Sequence, residues 1–324
     1  MLPDWIFWVV FNAFVVLMLV LDLGIAHRRS HVIRFKEALG WTFVWVSLAG
    51  VFAVLVYFFG HHMVPHPTRP NADLALEFVT GYLIEESLSV DNLFVFLLIF
   101  RYFAVDRLHQ HTVLFWGILG ALIMRAAFII GGVTLINRVH WVIYLFGAFL
   151  IYTGIRLFRQ QEAEVHPEKN PVLRLFRRFV PVTSHYQGSQ FLVKRGAQWV
   201  ATPLAVVLIV VETTDVMFAT DSIPAILAIT RDPFIVYTSN VFAILGLRSL
   251  YFALAGMMEV FQYLHYGLSA ILVFIGVKML ASERFNIPIG VALAVVGGIL
   301  IVSVIASVLF PAKKNAVEND SAGS

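Results

Sequence analysis

The sequence predicts an all-α polytopic membrane protein of about nine transmembrane helices, with a 3+3 inverted repeat formed by spans 3–5 and 6–8. Three observations predict it. Of 324 residues, 60% are hydrophobic and only 13% charged, against about 25% charged in a soluble domain. Nine apolar stretches each approach the about 20 residues that a helix needs to cross the hydrocarbon. Basic residues collect in alternate loops, as the positive-inside rule expects of a multi-pass chain, except that the loop after span 7 holds none and Arg284 falls in an outer loop.

The spans cover 5–26, 38–60, 76–100, 111–136, 139–158, 201–227, 234–256, 263–281 and 287–310. The first lacks a basic leader and a small-residue cleavage site, and reads as a retained helix. Arg28, Arg29, Arg34 and Lys36 follow span 1, whereas only Arg69 lies between spans 2 and 3. Arg101 and Arg107 follow span 3, and Arg138 alone follows span 4. Lys169, Arg174, Arg177, Arg178, Lys194 and Arg195 crowd the loop after span 5, and Lys313 and Lys314 lie beyond span 9. This places the N-terminus outside and the C-terminus in the cytoplasm. The net charge of +3 is loop-borne, so it speaks to topology; the bilayer is the expected partner, with no nucleic acid.

The chain divides accordingly. Residues 1–73 hold two peripheral spans, 74–160 the first three-helix repeat and 161–200 a basic cytoplasmic loop. Residues 201–282 hold the second repeat, 283–312 the last span and 313–324 a polar tail read as disordered. In the basic loop, Pro171 to Phe179 mixes apolar and basic residues. It reads either as an amphipathic helix lying in the interface or as an ordinary loop helix. Gln190 to Val200 reads as a small hairpin turning at Lys194-Arg195-Gly196.

Six acids interrupt two of the spans: Glu85, Glu86 and Asp91 in span 3, and Glu212, Asp215 and Asp221 in span 6. Each costs roughly 2.5–3.5 kcal/mol at the bilayer centre, on the order of 15 kcal/mol together if ionised and alone. Such groups persist only if they pair, protonate or hold a cation. The arginines within spans, Arg125 and Arg248, can pair with two, with Glu86 an accessory group in this pairing; four acids then remain uncompensated. Internal pairing alone therefore does not account for the cluster.

The two acidic segments match. Glu85-x5-Asp91-Asn92 aligns with Asp215-x5-Asp221-Ser222, Leu119-Gly120 with Leu245-Gly246, and Gly154-Ile155-Arg156-Leu157 with Gly276-Val277-Lys278-Met279. The charge rule runs spans 3 and 6 in opposite directions, so the repeat is inverted, and folds of that kind place the substrate at midplane on discontinuous helices. Positions seven apart lie within about 20° on a helix, which puts Glu85 with Asn92 and Asp215 with Ser222. Asp91 and Asp221 join that face only if each helix unwinds, for which Pro224 gives a reason in span 6.

Carboxylates, an amide and a hydroxyl are hard oxygen ligands suited to Mg²⁺, Ca²⁺ or Mn²⁺. The expected metal set is Glu85, Asp91, Asn92, Glu212, Asp215, Asp221 and Ser222, with Met217 packing and not ligating. Glu77 is expected at a span end, reaching the interface. The chain has no cysteine, so it has no thiol redox couple or Cys-ligated zinc. Neither H-E-x-x-H nor G-x-G-D occurs, so no enzyme activity or prosthetic group is expected. An aspartate-based intramembrane enzyme and a non-transporting metal sensor or scaffold are the rival readings. Tellurite as direct substrate is disfavoured, since so acidic a site repels anions.

Gly81-Tyr82-Leu83-Ile84-Glu85, Val90-Asp91-Asn92-Leu93-Phe94-Val95 and Glu212-x-x-Asp215-Val216-x-Phe218-Ala219-x-Asp221-Ser222-Ile223-Pro224 resemble the TerC integral membrane family. So do Asp232-Pro233-Phe234-Ile235-Val236-x-Thr238-Ser239-Asn240 and Phe242-Ala243-Ile244-Leu245-Gly246-Leu247-Arg248. The nine-span length and long fifth loop are similar to its Alx branch. That family was named for tellurium resistance, and the resemblance implies Mn²⁺ export across a bacterial inner membrane, with Glu85, Asp91, Glu212, Asp215 and Asp221 as motif acids. Glu86 stands where the branch has a basic residue. Proton antiport is the expected coupling, because clustered carboxylates that lose a cation take up protons.

Overall fold

The computed structural model describes residues 5–27, 35–64, 69–139, 141–159, 170–183, 185–195, 198–255, 263–282, 284–285 and 287–309, with side chains for all but 22–27 and 91. The elements are α1 (Trp5–His27), α2 (Phe35–Met63), α3 (Asn71–Tyr102), α4 (Arg107–Arg138), α5 (Val142–Arg159), α6 (Pro171–Phe179), β1 (Leu192–Arg195), β2 (Gln198–Ala201), α7 (Pro203–Leu227), α8 (Pro233–Leu254), α9 (Leu264–Ala281) and α10 (Ile289–Leu309). The nine predicted spans are α1–α5 and α7–α10. Seven helices, α2, α4, α5 and α7–α10, are long and apolar enough to cross a membrane. α1 has a shorter apolar run, Trp5–Leu21, and α3 carries acids through its middle.

Helix starts follow local chemistry. Asp106 accepts from the Leu108 N–H at 3.2 Å at the head of α4. Asp232 accepts from Phe234 and Ile235 N–H, both at 3.0 Å, with Pro233 at the first helical position of α8. Such caps satisfy N–H groups that have no partner within the helix. Burial pushes the Asp232 carboxyl above the usual carboxylate range, against these bonds, which favour its charge.

α5 and α9 form the most intimate helix pair. A Cβ on Gly276 would lie 2.7 Å from the Gly147 carbonyl oxygen, and one on Gly154 would lie 2.9 Å from that of Ser269. The Ser269 hydroxyl donates to the Gly154 carbonyl at 2.5 Å. Small residues permit this approach, which lipid alone does not drive. α3 packs chiefly on α8 and α4 on α7. Arg69 just before α3, Ile143 at the start of α5, and Leu227 and Met279 at the ends of α7 and α9 share one cavity. α3 and α7 are therefore antiparallel, as are α5 and α9. At the opposite end, Tyr251 of α8 donates to Gln110 Oε1 of α4 at 2.9 Å, so α4 and α8 also run antiparallel.

α1, α2 and α10 are peripheral. Phe43 of α2 is 74% exposed and Val302 of α10 is 66% exposed, as lipid-facing positions are. α1 docks through aromatic contacts: Phe11 and Trp8 meet Phe234 and Tyr237, and Tyr237 donates to Asn12 Oδ1 at 2.8 Å.

The basic loop forms the predicted hairpin, β1 pairing antiparallel with β2. α6 does not lie flat across the bundle end. Asn170 at its start donates to Thr213 Oγ1, ten residues into α7, at 2.6 Å. Val182, just past its end, bridges Ala201, just before α7. Nine residues rise about 14 Å and ten residues of α7 about 15 Å, so α6 stands alongside α7. The residues of the tail lie outside those described.

Candidate functional site

The candidate site grows from Arg125, the largest fully buried side chain, 1% exposed in the middle of α4. Its Nη1 donates to Glu85 Oε1 of α3 in a short contact. Its Nη2 donates to Asp215 Oδ1 at 3.2 Å and its Nε to Asp215 Oδ2 at 3.3 Å, a bidentate clasp on α7. Nη1 also reaches Ser222 Oγ and Asn240 Oδ1, each at 3.3 Å. The Asn240 amide fixes the far oxygen, donating to Glu85 Oε2 at 3.0 Å. Ser89 approaches Glu85 Oε1 at 3.4 Å. One guanidinium thus joins α3, α4, α7 and α8.

Depth is consistent along three helices. Glu85 lies 14 residues from the start of α3, Arg125 13 from the end of α4 and Asp215 12 from the end of α7. At 1.5 Å per residue these are about 21, 20 and 18 Å from one end of the bundle. A buried charge pair is retained only when its remaining donors and acceptors are satisfied, and losing one partner costs about 3–5 kcal/mol. With both carboxylates ionised the cluster carries a surplus negative charge.

The seven-residue face holds on α7, where Asp215 and Ser222 both meet Arg125. On α3, Glu85 joins the cluster, while Asn92 is buried with its Nδ2 lacking a hydrogen-bond partner among the described residues. The expected unwinding is absent. α3 and α7 are continuous, with Pro224 in the last turn of α7, where only Thr220's carbonyl loses a helical donor. Asp221 consequently faces α5 and accepts from Thr153 Oγ1 at 3.3 Å. The Asp91 side chain lies outside the described residues.

Glu212 sits over Gly120 of α4, where a Cβ would lie 2.0 Å from Glu212 Oε1. Glu86 faces α2 and α8; a Cβ on Gly246 would lie 3.6 Å from Trp45 and 4.0 Å from Glu86 Oε1. Its Oε2 has no hydrogen-bond partner among the described residues. Arg125 is an arginine that links the two acidic motifs, through Glu85 of one and Asp215 of the other. Met217 is 68% exposed and packs outward, as expected. Among the described residues, no three His, Cys, Asp or Glu side chains stand close enough to hold a metal together.

Two residues gained importance from the structure. Asn240 belongs to the polar triplet Thr238-Ser239-Asn240 in an otherwise apolar span, a signal visible in sequence but not read as part of the site. Glu77, expected at a span end, is buried within the protein: it is 2% exposed and ion-paired with Arg69.

A multi-pass helical membrane protein with a charge cluster buried between two groups of helices is the class these features define. The chain belongs to the integral membrane protein TerC family, whose model matches residues 71–315. It is 52% identical over 303 residues to membrane protein STKORF319 of Myxococcus xanthus, covering 93% of this chain and 92% of that one. It is 46% identical over 300 residues to an Escherichia coli K12 protein provisionally named membrane-bound redox modulator Alx, covering 92% of each. A Rickettsia bellii membrane protein is 38% identical over 311 residues, covering 96% of this chain and 99% of its own. No solved structure matches.

Proposed function

We propose that this protein is a transporter that exports a divalent metal cation, with Mn²⁺ as its first substrate, across a bacterial inner membrane. The observation that carries the reading is the junction of Glu85 and Asp215, from two different helices, on the single buried guanidinium of Arg125. A cation of charge +2 neutralises two carboxylates fully, where Arg125 neutralises one. Glu85 and Asp215 therefore exchange between Arg125 in the empty state and the cation in the loaded state. Ser222 and Asn240 supply further oxygens within reach of the same point. Hard oxygen donors favour Mn²⁺ over softer ions. Asp91, Asn92, Glu212 and Asp221 complete the ligand set as the helices rearrange, and protons replace the departing cation.

The antiparallel pairing of α3 with α7, α4 with α8 and α5 with α9 supports reading α3–α5 and α7–α9 as inverted repeats. The reciprocal contacts agree: Gly154 meets Ser269 where Gly276 meets Gly147. Rocking one repeat against the other would open the cluster alternately to either side. In this reading the hairpin end is cytoplasmic and the N-terminus outside.

One observation favours a second reading. No metal set is preassembled among the described residues, which suits a sensor or scaffold whose cluster is structural. The redox description carried by the Escherichia coli relative cannot rest here on thiols, since the chain has no cysteine; a manganese role would link the two. The test is Mn²⁺ flux into proteoliposomes with a pH dye inside. Flux lost in Glu85→Gln with a matching proton signal supports exchange transport. Mn²⁺ binding without flux supports the second reading.

A further inference from the structure

Outside the central cluster, one carboxylate has an environment the proposed mechanism does not use. Glu77 lies eight residues before Glu85 on α3, about 12 Å nearer the helix start. Its side chain is 3% exposed, and its Oε1 accepts from Arg69 Nη1. Its Oε2 is buried and makes no hydrogen bond among the described residues, while the Thr230 hydroxyl lies beside the carboxylate and Asp73 and Asp232 are its acidic neighbours. A buried carboxylate oxygen left without a bond is costly, and each such atom calls for an explanation such as a missing ion or water.

Arg69 is 44% exposed in its side chain and lines a cavity of about 230 Å³ with Thr230, Arg231 and Ser282. The cavity reaches Leu227 and Met279 at the ends of α7 and α9. Lys278 of α9 interacts electrostatically with Glu77, and its Nζ donates to the Ala228 carbonyl at 3.3 Å. A cation entering from this cavity meets Arg69 first, and Glu77 behind it.

From Glu77 a polar file continues inward. Gly81 stands halfway to Glu85 on α3, and a Cβ there would lie 2.9 Å from Ser239 Oγ of α8. Ser239 precedes Asn240, whose amide binds Glu85 Oε2. Glu77, Ser239, Asn240 and Glu85 are all buried, yet they form a succession of oxygen-bearing side chains where apolar packing would be cheaper. Ile226, 3.5 Å from the Gly81 Cβ position, packs beside Ser239.

We propose that Glu77 is a second binding station for the divalent cation, capped by Arg69, at the cavity end of a polar file leading to Glu85. The logic repeats that of the central cluster: an arginine holds the carboxylate when the cation is absent and yields it when the cation arrives. The station rests on the transport reading for its purpose, but its existence is testable without transport.

The absence of cysteine makes the first test direct. In a Ser239→Cys protein, a membrane-impermeant cationic thiosulfonate reports access along the file from the cavity side. Adding Glu77→Gln, which loosens Arg69 without leaving an unpaired buried charge, is expected to speed labelling at least tenfold. An unchanged rate would overturn the file. The second test measures Mn²⁺ binding in a Glu85→Gln protein, where the central site is disabled. Adding Arg69→Gln is expected to raise residual Mn²⁺ affinity at least tenfold, and adding Glu77→Gln to abolish the gain. Equal affinity in all three would overturn the station. Wild-type binding that Glu85→Gln leaves intact would instead overturn the central site while the labelling result still stood.

Discussion

α3 and α7 carry the two acidic motifs, yet they spend their carboxylates differently. On α3, Glu85 is fully buried and held from three sides by Arg125, Asn240 and Ser89. On α7, Asp215 is buried against Arg125, but Glu212 and Asp221 sit at half-buried edges facing α4 and α5. The difference follows from helical phase. A residue seven positions from Asp215 returns to the same face, and a residue six away does not. The central pair therefore ties α3 and α7 together through Arg125 of α4, whereas Glu212 and Asp221, on α7 itself, face α4 and α5.

That contrast is broken most severely at Arg125. Arg125→Leu leaves Glu85 and Asp215 without their cation and is expected to cost about 3–5 kcal/mol, read as a large drop in thermal unfolding midpoint in detergent. Arg125→Lys, a point charge without the bidentate fork, should recover part of it. Loss no greater in Arg125→Leu than in a surface substitution would remove Arg125 from the centre of the account.

Gly120→Ala tests the α7 edge. It drives a methyl into the Glu212 carboxylate and is expected to destabilise by about 1–3 kcal/mol. In a Glu212→Ala background the sign should reverse, since alanine favours a helix interior over glycine by about 1 kcal/mol. A penalty of the same size in both backgrounds would mean that Glu212 is not what fills the space beside Gly120.

Thr153→Val removes the hydroxyl that meets Asp221 and should cost about 1 kcal/mol or less. Its larger expected effect is on Mn²⁺ flux, with Asp221→Asn equal to or stronger than Thr153→Val. Asp232→Ala removes the α8 cap and is expected to cost about 1 kcal/mol, read as a lower thermal unfolding midpoint.

Much of this was legible in the sequence. Nine apolar runs gave nine long helices because burial in lipid selects for length and hydrophobicity, which single residues report well. The pairing of Asp215 with Ser222 was legible because helical phase is arithmetic. The hairpin between Gln190 and Val200 was legible, but not its register: Lys194 and Arg195, expected in the turn, pair with Trp199 and Gln198 in the ladder. The unwinding at Pro224 was not, because a proline within three residues of the helix end disturbs little. The meeting of Glu85 and Asp215 on Arg125 was only half legible: the charge count suggested pairing, but which arginine pairs with which acid depends on how α4 crosses α7. The burial of Glu77 was not legible, because it depends on Arg69, eight residues earlier, folding back over it.

The central claim is that Glu85 and Asp215 pass from Arg125 to a divalent cation. The most direct measurement is Mn²⁺ electron paramagnetic resonance on the purified protein, titrated in wild type, Glu85→Gln, Asp215→Asn and Glu77→Gln. The account predicts a bound Mn²⁺ signal in wild type that falls at least tenfold in affinity in both central variants and less in Glu77→Gln. Bound Mn²⁺ of equal affinity in wild type and Glu85→Gln, or no bound Mn²⁺ in wild type, would contradict it.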